Sequence, residues 1–288
     1  MTLLWLILVP IIAGLLAWPS GGRARWISLA AVIADFFLAL SIWLRNQRLT
    51  GLFGPWLDQL DWNWIPRFGI HFHLAADGLS LLLVTLTFFL GIVAVLASWS
   101  EVRANDGFFY LNLLWVLAGI TGVFLAFDLF LFYFAWELML VPMYFLLAVW
   151  GSGPRAAAAV KFFIFTQLSG LLMLISILAL HFVHLQTTGV STFEYMDLIG
   201  TRMAPHTEMW IMLGFFIAFA VKLPMVPLHT WLPDAYTDSP TAGSILIAGL
   251  MAKTGAYGLL RFIHPLFPQA AASIATVAIV LAVIGILY

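Results

Sequence analysis

Cysteine is absent from this 288-residue chain. Its absence removes disulfides, thiolate zinc sites and iron–sulfur ligation. Charge is nearly absent too: Asp, Glu, Lys and Arg make up 9% of the residues and balance to −1. Without a basic excess there is no electrostatic footprint for nucleic acid. No glycine-rich nucleotide loop and no nucleophile constellation occurs. The mid-span positions hold no pair of histidines to serve as axial ligands of a haem. No Lys or Arg precedes the first apolar run. The positive start of a cleaved signal peptide is therefore missing as well.

What fills the chain is apolar. Hydrophobic residues make up 64% of it, far outside the soluble globular range, which points to a multi-span membrane protein. The fold expected is all-α, a polytopic transmembrane helix bundle of about nine helices, the seventh discontinuous. The apolar runs cover residues 2–18, 26–44, 79–99, 109–127, 129–150 and 156–183, then a broken seventh, then 241–262 and a ninth beginning near 271. Each complete run is near the ~20 residues needed to cross a bilayer. Polar connections occupy 45–75 and 185–208, and the first of them reads as an extramembrane loop on the interface. The 13 Trp and 25 Phe suit interfacial belts and helix packing. Arg23 and Arg25 follow the first run, which favours an N-terminus on the outer side of the membrane. The loops taken together do not support that orientation. Four arginines (Arg23, Arg25, Arg103, Arg155) fall on one side and five (Arg45, Arg48, Arg67, Arg202, Arg261) on the other.

Against this background the charges inside apolar runs stand out. A lysine deep in hydrocarbon costs roughly 3 kcal/mol on insertion scales, so an intramembrane charge is a functional candidate by default. Lys222 and Lys253 lie near the middle of their runs, and Glu137 lies well inside the fifth. Pro224 and Pro227 follow Lys222 closely and cannot donate to the carbonyls of Ala220 and Leu223. Backbone broken at membrane depth survives only where it is packed in protein or lines a watery cavity. A basic side chain at such a break suggests a proton or ion path. Desolvation favours a neutral amine and a nearby carboxylate favours the charged one, so a changing separation between acid and base would toggle protonation. Lys161 begins its helix and reads equally as an interfacial anchor or as a relay member. His229 could relay protons or hydrogen-bond a freed carbonyl. Asp35 is mid-span without an obvious partner, and a satisfied structural acid is as good a reading as a functional one. His181 and His184 share a helix face, a spacing that a metal could use, but two ligands at a helix end suit interfacial histidines better. Gly243, Gly249, Gly255 and Gly258 suit close helix packing.

Several of these stretches resemble the antiporter-like membrane subunits of bacterial NADH-quinone oxidoreductase, respiratory complex I. They are WIPRFGIHFHLAADGLSLLLV, GFFYLNLLWVLAGITGVFLAFD, DLFLFYFAWELMLVPMYFLLAVWG and KFFIFTQLSGLLMLI. The most specific is KLPMVPLHTWLPDA, starting at Lys222, with PTAGS following from Pro240. The resemblance implies inverted repeats, each with a discontinuous helix, in a membrane arm that carries no redox cofactor. Flavin, iron–sulfur clusters and quinone belong to partner subunits. Partners are the other membrane-arm subunits and the lipid bilayer. It also implies a multi-pass protein of the bacterial inner membrane. Glu137, Lys222 and Lys253 match the family's proton-translocating residues, and Lys161 matches a sixth-helix lysine of less settled role. Asp35 matches nothing that the family assigns. The chain reads as a single membrane domain, 1–288: helices one to three in 1–105, a first repeat in 106–263, and the start of a ninth helix in 271–288. The family's chains are far longer, so a fragment ending inside the ninth helix at Tyr288 is expected, lacking the second repeat. Multi-subunit sodium/proton antiporters and membrane-bound hydrogenases share the lysine–proline core, and a structural anchor of a redox arm is the rival from another class.

Overall fold

The computed structural model describes residues 1–45 and 56–287. Arg48 and Tyr288, both used above, lie outside the described residues. The apolar runs form helices, which satisfy their own backbone polar groups where there is no water. Helix α1 (Thr2–Ala17) and α2 (Ala24–Arg45) are joined through Trp18–Arg23, where Gly21 takes φ +50°. Glycine adopts that conformation at low cost. Buried positions on α2, among them Ala24, Ser28, Ala31, Val32, Asp35, Ala39 and Ile42, recur at three- and four-residue steps. Around the centre stand α3 (Gly78–Ala97) and α4 (Asp106–Leu125). Helix α4 is buried almost from end to end, as an apolar helix with no polar face must be. It packs against α1, α2, α3 and the next two helices.

The fifth run is, as expected, one membrane-length helical stretch, Leu129–Trp150. A single irregular residue, Met139, two past Glu137, separates α5 (Leu129–Leu138) from α6 (Leu140–Trp150). Pro142 explains it: the ring has no N–H for the carbonyl of Leu138 and crowds that carbonyl. Helix α7 (Arg155–Thr188) runs for 34 residues, about 51 Å. It therefore absorbs the start of the connection expected at 185–208. The rest of that connection holds the short α8 (Tyr195–Leu198) and the beginning of α9 (Pro205–Lys222). After the break come α10 (Leu232–Asp238), α11 (Thr241–Leu266) and α12 (Pro268–Leu287). Among the described residues, seven continuous helical stretches are long and apolar enough to cross a membrane. The first, Thr2–Arg45, is the α1–α2 pair, and the interrupted α9 is not one of the seven.

The fold is not purely helical. Part of the expected interfacial loop is an antiparallel hairpin, β1 (Asp58–Ile65) and β2 (Ile70–Ala76), with Leu60 opposite Leu74 and Trp62 opposite Phe72. Residues 70–76 begin with alternating apolar and polar side chains, the period of a strand. At the turn Gly69 takes φ +65°, and a Cβ there would lie 1.9 Å from the carbonyl oxygen of Ser191. Asp128 docks the hairpin. One carboxylate oxygen caps α5 by accepting from Phe130 and Leu131 N–H at 2.8 and 3.0 Å. The other accepts from the His71 N–H at 2.9 Å. His73 Nδ1 meets Glu194 Oε2 at 2.7 Å, and His71 Nδ1 meets Asp61 Oδ1 at 2.8 Å.

Arg261 is not in an outer loop. Helix α11 continues to Leu266, so Arg261 lies inside it, 1% exposed. It pairs with Asp77, which caps α3 through the Ser80 N–H at 2.8 Å. Its guanidinium stands 5.0 Å from the ring centre of Phe127 and 5.4 Å from that of Tyr257. The loop charge count therefore loses a member, and its four-to-five balance loses its meaning.

Two outcomes are expected. Asp77→Ala strands a buried guanidinium and lowers stability by roughly 3–5 kcal/mol, while Asp77→Ala with Arg261→Met recovers most of it. Thermal unfolding of the membrane-extracted protein measures both. The second concerns pH. Burial lowers the proton affinity of His73, but the hydrogen bond and charge of Glu194 outweigh it, and the imidazole is raised above its ordinary 6.5. A raised folded-state histidine stabilises fully below that ordinary value, and the stabilisation is lost as pH rises through the folded value. Proteolysis of the hairpin should thus quicken on the alkaline side, and His73→Phe should flatten the dependence.

Candidate functional site

Helix α9 ends at Lys222 because Pro224 has no N–H to continue the ladder. The last regular rung runs from the Leu223 N–H to Phe219 O at 2.8 Å, and the carbonyls beyond it are answered differently. Ala220 O, which Pro224 cannot serve, accepts from Met225 N–H at 2.8 Å, one residue further on. Val221 O accepts from the indole Nε1–H of Trp231 at 3.0 Å. Trp231 is buried, and its role was not drawn from the sequence. The signal was its place in the same proline-rich string as the carbonyls that needed a donor.

The break leaves the Lys222 side chain 1% exposed, with no hydrogen-bond partner for Nζ among the described residues. The ammonium nitrogen stands 5.1 Å from the ring centre of Trp136 and 5.8 Å from that of Phe162. Helices α5, α7 and α9 thus converge on it. Glu137, next to Trp136, is its electrostatic partner, but the two form no direct ion pair. Glu137 Oε1 is buried and carries no hydrogen bond. A Cβ on Gly170 of α7 would lie 2.5 Å from that oxygen, so glycine is what lets the acid approach. Tyr133 and Gln167 are its polar neighbours. Glu137 also lines an open cleft of about 460 Å³, with Asn112, Trp115, Phe134, Val141 and Phe145 among the other walls. The arrangement is an amine and an acid, both largely out of water and held apart. Burial favours the neutral form of each and mutual attraction favours the charged forms, so their separation sets the balance.

The other sequence candidates are distributed around this pair. Lys253 lies on α11 between two wide π-helical turns, Ile247–Met251 and Leu259–Ile263. Its ammonium reaches the carbonyl of Ala248 at 3.5 Å. Two residues on, Gly255 rests on the broken end of α9: a Cβ there would lie 2.6 Å from Phe219 O. His229 is half-buried in the break, and its carbonyl accepts from Leu232 N–H at 2.9 Å. Lys161 pairs with Asp234 Oδ2 at 2.7 Å, which ties α7 to the first turn of α10. His181 and His184 turn to different loop partners, the carbonyl of Thr192 and the hydroxyl of Thr201, each at 2.8 Å. The ligand atoms of Asp61, His71 and Glu194 lie within 4.8 Å of one another, a spacing that a metal could use. His71 there already pairs with the exposed Asp61, and Glu194 with His73.

The geometry has counterparts in known proteins. Residues 126–288 match the model of the NADH:quinone oxidoreductase/Mrp antiporter transmembrane family. The NADH-quinone oxidoreductase subunit M of Escherichia coli is 56% identical over 300 aligned positions, covering all of this chain and 59% of that protein. This chain therefore spans about three fifths of the length of such relatives. Among solved structures, a chain of respiratory complex I from Thermus thermophilus with bound NADH superposes with TM-score 0.81 at 28% identity, over 98% of this chain and 56% of that one. A chain of the Mrp complex from a Dietzia species follows with TM-score 0.74 at 25% identity, over 94% of this chain and 29% of its own length.

Trp231→Phe keeps the ring and removes the donor to Val221 O. The orphaned carbonyl should cost roughly 1–3 kcal/mol. Thermal unfolding reads the loss, and hydrogen exchange should rise at the end of α9 before it rises elsewhere.

Proposed function

Because this chain belongs to the NADH:quinone oxidoreductase/Mrp antiporter family of transmembrane proteins, we propose that it serves as a proton-translocating membrane-arm subunit, of the subunit M kind, in a bacterial NADH:quinone oxidoreductase. The observation that carries this is Lys222: an amine held out of water at a broken helix, with no hydrogen-bond partner and with Glu137 near but not touching. A structural lysine would be expected to close on its acid, because a buried charge left unpaired is costly.

In this reading a proton reaches Lys222 through water beside the break, by way of His229, and Lys253 accepts it next. Glu137 faces the cleft at the border with a neighbouring membrane-arm subunit and modulates the proton affinity of Lys222 as their separation changes. Lys161 holds α10 in place through Asp234 and so fixes the far side of the break. NADH oxidation and quinone reduction take place in partner subunits that carry the flavin and iron–sulfur clusters. The N-terminus faces the periplasm of a multi-pass inner-membrane protein. Residues 1–105 form the supporting helices, 106–263 the first repeat, and 271–288 the beginning of the next helix. The higher identity to subunit M, 56%, against 25% for the Mrp chain favours the oxidoreductase over a sodium/proton antiporter.

Inverted membrane vesicles carrying the assembled, full-length complex provide the test. Lys222→Ala should abolish NADH-driven proton uptake through this subunit, and Glu137→Gln should sharply lower it, with assembly verified for each. Unchanged uptake at unchanged NADH oxidation would make both residues structural and favour the anchor reading. Copurifying flavin-containing, NADH-oxidising subunits would separate complex I from the antiporter reading.

A further inference from the structure

Asp35 is a charged group at the middle of a buried helix face that the mechanism above does not use. It is fully buried on α2, and neither carboxylate oxygen has a hydrogen-bond partner among the described residues. Among the described residues no counter-charge pairs with it, and the Trp18–Arg23 connection that packs on α2 offers only Arg23, twelve residues before it. Helices α1 and α3, which pack against α2, carry no charged residue. Helix α4 offers only Asp106, in its first turn, and the phenol of Tyr110. On α2 itself Arg25 and Arg45 are each ten residues away, about 15 Å along the axis. A lone carboxylate in such surroundings is costly enough that it holds a proton or a cation.

Among the described residues, two hydroxyls of fully buried residues share the condition. Thr87, Ser98, Thr166 and Ser169 all return their hydroxyl to a carbonyl three or four residues earlier. Ser28 and Thr121 are just as buried and make no such bond. Their position is fixed by one contact: a Cβ on Gly91 of α3 would lie 2.8 Å from Leu117 of α4 and 3.5 Å from Val32 of α2. Asp35 is one turn past Val32, and Thr121 is one turn past Leu117 towards the same side, the side of Arg45 and Leu125. Acid and hydroxyl therefore occupy the same layer. Ser28 is one turn before Val32 on the same face, about 10 Å from Asp35 along the axis. Arg25 lies one turn further out, with a buried Nε that has no hydrogen bond. Beyond Asp35 the buried face turns apolar, at Ala39 and Ile42.

We propose that Asp35 is a second proton-exchanging carboxyl, hydrated along the Ser28 face of α2 from the end that carries Arg25, closed at the other end, and separate from Glu137 and Lys222. Its acidic O–H gives the proton to water on this face and regains it from there. The proposal rests on the proton-pumping reading.

The test uses inverted vesicles with the assembled full-length complex, carrying Asp35→Asn and, in parallel, Lys222→Ala. Asp35→Asn is expected to lower the protons taken up per NADH oxidised, with NADH oxidation in uncoupled vesicles preserved. In the purified complex it should delete a carbonyl-stretching band of a protonated carboxyl that shifts in deuterium oxide. Ser28→Val leaves the acid in place and closes its water path, so it should lower the same ratio even if the Asp35 variant fails to assemble. A wild-type ratio in both variants, with Lys222→Ala abolishing uptake, overturns the proposal alone. A wild-type ratio in all three overturns the pumping reading with it. A carboxyl band absent in the native protein and restored by removing sodium would replace the proton with a bound cation and overturn the proposal too.

Discussion

A carbonyl without water must find a donor in protein, and the central part of this molecule is arranged around that requirement. Pro224, two residues past Lys222, withholds the N–H that the carbonyl of Ala220 needs. The structure answers with a one-residue slip at Met225 and an indole from ten residues downstream. Both repairs use the segment that follows the break, so the chain must fold back on α9 for α9 to end there. The fold-back leaves Lys222 under the rings of Trp136 and Phe162, where its amine meets no hydrogen-bond partner among the described residues. The break and the buried lysine are one feature, because the same prolines produce both.

The same constraint acts on the acid. Pro142 interrupts the fifth run just behind Glu137, so each member of the pair is followed by an interruption in its own helix. Broken ends can shift against their neighbours with less disruption than a continuous helix, and Gly170 leaves the acid room on the α7 side. Rigid walls with two adjustable ends suit a pair whose chemistry depends on distance. Lys253 belongs to the same pattern. It sits between two wide turns of α11, where the extra residue per turn redirects carbonyls, and one of them, at Ala248, meets its ammonium.

Much of this was legible in the residues, and what was not has physical reasons. Run length and hydrophobicity located the helices, since the bilayer fixes both. The string from Lys222 to Ala235 announced the break, since proline chemistry is local. The hairpin was missed because Asp58, Asp61 and Arg67 read as loop, although Ile70, Phe72 and Leu74 alternate at strand period. The fifth run was read at its observed bounds, Leu129–Trp150, and only the one-residue irregularity at Met139 went unread although Pro142 signals it. Arg261 falls within the apolar run 241–262, so its place inside the helix was legible, but its pairing was not: that depends on Asp77 lying across from it, a contact between residues 184 apart in sequence. Trp231 was visible, but the carbonyl it serves is not.

That distant ion pair also imposes an order in time. The ribosome delivers Asp77 184 residues ahead of Arg261, an interval of about 10–40 s at ordinary synthesis rates. Through that interval the waiting member is the acid at the first turn of α3, beside the hairpin, where the backbone N–H of Ser80 already steadies it. The arginine, which sits within a helix, arrives with its partner in place. An acid suits the waiting position, because an N-cap carboxylate finds a backbone donor within its own helix before its distant partner exists.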